Sequence, residues 1–164
     1  MRLMKYLIIL LLSQQAWAGH PADAGMTMQH GTVAVPAGSQ VPHIEALLVE
    51  DSMDGYNLLL HLTHFELVPP LEGATASKVR NDGHTVLKGH LHLYINGKKV
   101  MRLYAPAVHL PETLLKDGMN SITVSVNNHQ HETYTWQDKE IQSTLLIDTR
   151  SKNLIKNRFV WPAL

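Results

Sequence analysis

Short stretches in which hydrophobic and polar residues alternate recur along the chain from about residue 43 onward. The clearest ones cover residues 56–67, 88–95 and 121–126. A period of two residues is typical of a β-strand that buries one face. No long stretch with the 3.6-residue period of a helix follows residue 18. The pattern therefore predicts an all-β chain.

Turn residues separate these stretches at fairly regular intervals. Asn96-Gly97 stands between two of them and is the strongest short signal for a two-residue hairpin turn of type I′. Many short strands with this spacing favour an antiparallel, immunoglobulin-like β-sandwich of about seven strands. We assign this domain to residues 43–150 and treat residues 151–164 as a C-terminal tail.

Residues 1–18 have the organisation of an export signal. Two basic residues precede a short apolar run at 6–12, and the segment ends with an Ala-Trp-Ala cleavage pattern. The apolar run is far shorter than the ~20 residues that span a bilayer. We therefore expect a signal peptide that is cleaved before Gly19, and a mature protein in the bacterial periplasm without a membrane anchor.

The composition of the chain narrows the chemistry it can perform. Its 164 residues include 11 histidines and no cysteine, and 14 basic residues balance 14 acidic ones. Because no basic patch is evident, nucleic acid is not an expected partner. The chain lacks a thiol nucleophile, the Gly-x-Ser-x-Gly and His-Glu-x-x-His motifs and a phosphate-binding glycine loop, so we expect no enzyme. A transition-metal site here must use imidazole, thioether or carboxylate ligands.

Two histidines stand two residues apart within the predicted strand at 88–95. Because successive side chains of a strand point to opposite faces, His90 and His92 share a face with Tyr94. Imidazole is a ligand for both copper and zinc, so the pair is a candidate metal site. A solvated strand face that carries histidines without a metal would show the same pattern.

Further histidines lie where a sheet can bring them to this pair. His61 is on the polar face of the strand at 56–67, and His109 lies in a predicted loop after the hairpin. His129 and His131 stand in a loop that follows residues 121–126. Three histidines from this whole set would complete a site for a copper or zinc ion.

The segment between the signal and the sandwich, residues 19–42, is predicted to be flexible. It contains Met26, Met28 and His30. Thioether sulfur suits Cu(I), and imidazole suits either oxidation state of copper, so this group is a second candidate for capturing or handing on a metal. The alternative is a disordered N-terminus with two chance methionines.

An ordered series of residues between positions 88 and 131 resembles that of a known group of proteins. The series consists of Gly89-His90-Leu91-His92-Leu93-Tyr94-Ile95-Asn96-Gly97, Arg102-Leu103-Tyr104, His109-Leu110, Gly118-x-Asn120 and Asn127-Asn128-His129. It is similar to small exported bacterial proteins, largely uncharacterised, with a GHxHxYxxG hairpin and an immunoglobulin-like or cupredoxin-like sandwich. The resemblance implies a link to metal handling and four histidines that act together, His90, His92, His109 and His129. The chain lacks the Cys-His-Met ligands of a blue-copper centre, which excludes electron transfer of that kind.

The sequence thus predicts an exported, non-catalytic protein that carries or sequesters a transition metal, copper first and zinc second. Because a metal binds neutral imidazole, we expect the affinity to fall as the pH drops through about 6.5. Two alternatives stay open at this point. One is a module that binds another envelope protein, and the other is a copper-dependent redox enzyme.

Overall fold

The fold is built almost entirely from β-strands. The computed structural model describes residues 31–70, 77–79, 83–151 and 157–160. In these ranges it contains a 3₁₀ turn at Glu112–Leu114 but no α-helix, and no helix that would be long and apolar enough to cross a membrane. The all-β class is therefore confirmed. The strands are β1 Thr32–Ala34, β2 His43–Glu50, β3 Tyr56–Thr63, β4 Phe65–Leu67, β5 Ser77–Val79, β6 Thr85–Ile95, β7 Lys98–Leu103, β8 Ala107–Leu110, β9 Met119–Asn127, β10 Thr133–Trp136, β11 Lys139–Glu140, β12 Gln142–Asp148 and β13 Asn157–Val160.

Two sheets enclose one hydrophobic core. In the larger sheet β9 is central, with β6 and then β7 on one side and β12 and then β13 on the other. The smaller sheet has the order β2-β3-β8. Aliphatic side chains from both sheets are fully buried between them, and these include Ile44, Leu58, Leu110, Leu91, Leu93, Ile122, Val124 and Val126. The alternation of hydrophobic and polar residues in the sequence therefore correctly predicts which face of the long strands is buried in the core.

The sheets differ from the expected seven antiparallel strands. The described residues form thirteen strands, and the pairs β1–β10 and β4–β6 are parallel, so the larger sheet is mixed. Strands β1 and β13 lie outside the range 43–150 predicted for the sandwich, yet they pair with β10 and β12. Residues 107–110, predicted as a loop between two prolines, form β8. Such short strands have too few residues for a period of two to be recognised.

The hairpin between β6 and β7 confirms the predicted two-residue turn. Asn96 and Gly97 have φ angles of 52° and 78°, and a type I′ turn needs positive φ at both positions. This turn fixes which residues of β7 lie beside the histidines of β6.

A β-bulge in the same hairpin changes the face on which Lys99 lies. Leu93 is paired with Met101, but the next residue, Tyr94, is paired with Lys99, so Val100 is the extra residue. Strict alternation would place Lys99 on the core face with Met101. The bulge places it instead on the face of β6 that carries the histidines.

Gly89 allows the end of β9 to come close to β6. A Cβ atom at this position would collide with the backbone carbonyl oxygen of Asn127 and would lie 3.1 Å from Cζ of Phe65. Asn127 is the residue of β9 that is paired with His90. The glycine therefore brings the loop that follows Asn127 against the histidine face.

Candidate metal centre

The two faces of β6 are both buried, for different reasons. Leu91 and Leu93 are 0% exposed and belong to the core between the sheets. His90 and His92 point to the opposite side and are nevertheless only 1% and 0% exposed. The histidine pair is therefore covered by polar neighbours and does not decorate a solvated face. Buried polar side chains need partners, and contacts within the centre supply some of them.

Three imidazole nitrogens converge on the outer side of the larger sheet. Nε2 of His90 and Nε2 of His92 are 2.9 Å apart, and Nδ1 of His131 is 3.2 Å from each of them. A tetrahedral metal ion with nitrogen ligands at about 2.0–2.1 Å separates those ligands by about 3.3 Å. We call Nε2 of His90, Nε2 of His92 and Nδ1 of His131 the triangle. Its nitrogen–nitrogen distances are only slightly shorter than those around such an ion, so one ion would fit after a small outward movement of the rings.

A tight turn after β9 presents His131 to the strand pair. The side chain of Asn128 closes the turn, since Oδ1 accepts from the backbone N–H of Glu132 at 2.9 Å and Nδ2 donates to its carboxylate at 2.7 Å. The backbone N–H of His131 donates to the carbonyl of Asn128 at 3.1 Å. His131 has a φ of 67°, a left-handed conformation that is uncommon for residues other than glycine.

Buried hydrogen bonds fasten both ends of this loop to the sheet. Oγ of Ser125 donates to Oδ1 of Asn127 at 2.8 Å, and Nδ2 of Asn127 donates to Oγ1 of Thr133 at 2.9 Å. All three side chains are at most 5% exposed. The loop therefore begins and ends on fixed residues, which holds His131 in place.

Two side chains contact His92 from within the hairpin. The hydroxyl of Tyr94 lies 3.4 Å from Nδ1 of His92, and Nζ of Lys99 lies 3.1 Å from its Nε2. The Tyr94 hydroxyl beside Nδ1 of His92 helps to fix the orientation of this ring, so that its Nε2 points toward His90 and His131. The contact with Lys99 depends on the β-bulge and could not be expected from the alternating pattern.

The environment of His90 keeps this ring neutral. Burial, followed by the charges of His131, His129, Arg102 and Lys99, lowers the pKa of His90 to about 4. Neutral imidazole is the form that binds a metal ion. At His90, therefore, protons compete with a metal only well below the pH of about 6.5 expected for an ordinary histidine.

His129 lies beside the triangle without belonging to it. Its ring stacks on that of His90, with centroids 5.9 Å apart and an angle of 27° between the planes. Both of its ring nitrogens, together with Nδ1 of His90, are buried without a hydrogen-bond partner among the residues that the structure describes. Each such atom costs about 1–3 kcal/mol when nothing pairs with it, so the site favours an occupant that accepts nitrogen ligands.

Two of the predicted ligands lie on the other sheet. His61 is an exposed residue of β3, next to the buried Leu60, and therefore lies on the outer face of the smaller sheet. His109 lies in β8, with 43% of its side chain exposed and its Nε2 3.9 Å from Asp54. Since β3 and β8 pair with each other and not with β6, the core separates both residues from the triangle.

The remaining sequence-based candidates have different outcomes. Met26, Met28 and His30 lie outside the described residues. The sequence places His131 two residues after His129 but does not identify it as a ligand. The repeated His-x-His pattern at 129 and 131 is its only sequence signal, and the pattern does not reveal which of the two rings reaches β6. In the structure it is the ring of His131, a residue with a left-handed backbone, that reaches β6.

Comparison of the chain with protein-family models, with curated protein sequences and with solved structures finds no significant match.

Proposed function

We propose that this chain is an exported protein that binds a transition metal, copper before zinc, and carries or sequesters it. The observation that supports this most is the convergence of three donor atoms, Nε2 of His90, Nε2 of His92 and Nδ1 of His131, within 3.2 Å of one another. Imidazole nitrogen is a good ligand for both ions, and copper is generally bound more tightly than zinc by such sites.

The proposed role is binding and transfer, and not catalysis. Three ligands fixed to a sheet and a clamped loop set the coordination geometry before the ion arrives, which lowers the cost of ordering them. During transfer, a ligand from a donor or acceptor would exchange at the fourth coordination position. We propose His129 as an additional ligand, because its ring nitrogens are buried next to His90 and have no hydrogen-bond partner within the described part of the chain.

We further propose that the protein works in the periplasm, after cleavage of residues 1–18. The signal-like sequence of this segment supports export. Met26, Met28 and His30 would then belong to the mature N-terminal segment and would offer thioether and imidazole ligands for loading. The immunoglobulin-like identity of the sandwich is part of the same proposal, and the two-sheet, all-β architecture supports it.

The test is a metal titration followed by native mass spectrometry. The protein from Gly19 to Leu164 is titrated separately with Cu(I), Cu(II) and Zn(II), beside a His90→Gln/His92→Gln variant. A His61→Gln/His109→Gln variant is the matched control, because it loses the same number of histidines from the other sheet. We expect one tight equivalent in the wild type and the control, and its loss in the first variant. Equal loss in both variants, or no tight equivalent at all, would refute the proposal.

A second candidate function is an interaction module for another envelope protein. It is favoured by apolar residues on the outer face of the smaller sheet, where Leu47 and Leu59 are paired across β2 and β3 and are 48% and 41% exposed. If this is the function, substitution of the triangle histidines leaves it intact.

A further inference from the structure

The chain enters the larger sheet beside the loop that carries His131. Strands β1 and β10 are parallel, with Thr32 paired with Thr133. One residue before Thr32, the carbonyl oxygen of Gly31 accepts a hydrogen bond from the backbone N–H of Thr133 at 2.9 Å. A Cβ atom at Gly31 would lie 3.6 Å from Cγ of Glu132. Gly31 is therefore fixed next to Glu132, the residue that directly follows His131.

The same loop marks the side from which an ion can reach the triangle. His90 and His92 are 1% and 0% exposed, whereas His131 is partly exposed. Because the two strand histidines are covered, an incoming ion meets His131 first. A ligand that lies close to Gly31 in the chain is therefore tethered at the entrance to the site.

Three metal ligands stand directly before Gly31 in the sequence. They are Met26, Met28 and His30, which lie outside the described residues. His30 is bonded to Gly31, so the Cα atoms of these two residues are about 3.8 Å apart, and five residues of extended chain reach at most roughly 18 Å. A spacing of two residues also lets an extended chain turn all three side chains to one side. Covalent geometry therefore keeps these donors within reach of the triangle.

Resting on the proposed function, we propose that Met26, Met28 and His30 form a loading site that captures Cu(I) and hands it to the triangle. Thioether sulfur is a soft ligand that selects Cu(I), whereas zinc is bound by imidazole, thiolate and carboxylate. The donors of the triangle are imidazole nitrogens, which accept both ions. The two sulfurs therefore supply a preference for Cu(I) before the ion arrives there.

The hand-off is an exchange of ligands. Bonds from copper to the sulfurs break as bonds to the ring nitrogens of the triangle form. Copper stays Cu(I) throughout, so the step needs no oxidant or reductant.

A tethered loading site changes rates and leaves the equilibrium at the triangle unaltered. An ion held close to the triangle is present there at a high effective concentration, which speeds its arrival. Because the ion also leaves by this path, its departure is accelerated by the same factor. The rate of uptake therefore distinguishes a loading site from a set of permanent ligands.

The test measures how fast and how tightly the protein from Gly19 to Leu164 takes up each ion. Stopped-flow mixing with a chromogenic chelator complex of Cu(I), without oxygen, gives the rate for copper, and a fluorescent chelator complex of Zn(II) gives the rate for zinc. The same chelators give the affinities at equilibrium. The variant is Met26→Leu/Met28→Leu/His30→Gln, which removes the three donors and keeps side chains of similar size.

The matched control is Met53→Leu/Met119→Leu/His61→Gln. It removes two methionines that are 92% and 51% exposed and one exposed histidine. Met53 lies between β2 and β3, His61 lies in β3 of the smaller sheet, and Met119 lies at the opposite end of β9 from Asn127. The control therefore loses the same ligand types from places away from the loop of His131.

We expect the variant to take up Cu(I) about tenfold or more slowly than the wild type, with a smaller effect on Zn(II), while its equilibrium affinity for Cu(I) stays close to that of the wild type. The control should behave as the wild type does in each measurement. Tight binding with an unchanged rate of Cu(I) uptake, or equal slowing of the two ions, would overturn this inference alone.

A loss of Cu(I) affinity as large as the loss of rate would also overturn it, because the sulfurs would then be permanent ligands. Equal slowing in the control and the variant would show that the position of the donors beside Gly31 is not the cause. Absence of tight binding of either ion by the wild type would overturn the proposed function and this inference together.

Discussion

The Nε2 atoms of His90 and His92 lie 2.9 Å apart and face the same point. Along an extended strand, residues separated by two positions are about 7 Å apart at their Cα atoms. The two side chains therefore lean toward each other, with one ring able to donate a proton to the other. His131 joins them from a loop 41 positions away from His90. Two residues of one strand and one residue of a distant loop therefore bring their ring nitrogens to one point.

Replacement of His131 should weaken metal binding most strongly among the loop residues. His131→Asn removes the third donor, and asparagine tolerates the left-handed backbone, so the loop should keep its shape. We expect the affinity for copper or zinc to fall by more than about 100-fold, since loss of an outer contact to a ligand already costs 10–100-fold. Competition with a chelator measures it.

His129→Asn is the comparison for this prediction. It removes one histidine from the same loop, but from outside the triangle, so its effect on affinity should be clearly smaller. A larger loss in His129→Asn than in His131→Asn would show that the ligand set is different from the one described.

The metal-free protein should lose stability between pH 6.5 and pH 4. The pKa of His90 is lowered to about 4 in the folded state, whereas an unfolded histidine titrates near 6.5. The unfolded chain therefore binds more protons in this window, and the free energy of unfolding falls as the pH falls. The full effect is on the order of 3 kcal/mol. Urea unfolding at pH 7, 5 and 4 with a chelator present measures it.

The variant His90→Gln isolates this contribution, because other groups also titrate in the acid range. Its stability should change less with pH than that of the wild type over the same interval. If both proteins show the same pH dependence, the buried neutral state of His90 is not the cause.

Addition of a single methyl group at Gly89 should destabilise the fold. Gly89→Ala would force the new Cβ against the backbone carbonyl of Asn127, and backbone cannot move aside as a flexible side chain can. We expect a loss of about 1–3 kcal/mol in unfolding free energy, as for other overpacked sites. Thermal or urea unfolding gives the value.

Gly31→Ala is the control for this effect. The nearest atom to a Cβ there is Cγ of Glu132 at 3.6 Å, an ordinary contact with a side chain. Its stability should stay within about 0.5 kcal/mol of the wild type. If Gly89→Ala and Gly31→Ala lose similar amounts of unfolding free energy, the close approach of β9 to β6 does not explain the effect at Gly89.

The side chain of Asn128 should strengthen metal binding although it contacts no ligand nitrogen, because its hydrogen bonds to Glu132 close the turn that carries His131. Asn128→Ala removes both side-chain hydrogen bonds to Glu132 and loosens the turn that carries His131. We expect the affinity for the metal to fall by about tenfold or more. Glu132→Gln keeps an oxygen that can accept from Asn128 and should bind nearly as the wild type does. Equal affinity in Asn128→Ala and the wild type would show that the loop is held by other contacts.

The sequence pattern alone predicts the all-β class, the hairpin turn at Asn96-Gly97 and the shared face of His90 and His92. These features depend on local rules, namely the period of two along a strand and the positive φ of an Asn-Gly turn. The short strands β8 and β11 could not be predicted in this way, because they exist through pairing with other segments and have little pattern of their own.

The composition of the site could be predicted only in part, for a similar reason. Strand order decides which histidines meet, and it places His61 and His109 on the sheet opposite the triangle. A β-bulge brings Lys99 to His92. His131 reaches His90 and His92 from a loop in which its own backbone is left-handed. Both are local departures from regular geometry that a periodic pattern does not report.

The most direct measurement is an anomalous diffraction map of crystals of the copper-loaded protein, recorded at the copper absorption edge. The account predicts one strong peak at about 2.0–2.1 Å from Nε2 of His90, Nε2 of His92 and Nδ1 of His131. A strong peak elsewhere, with none between these three rings, would contradict it.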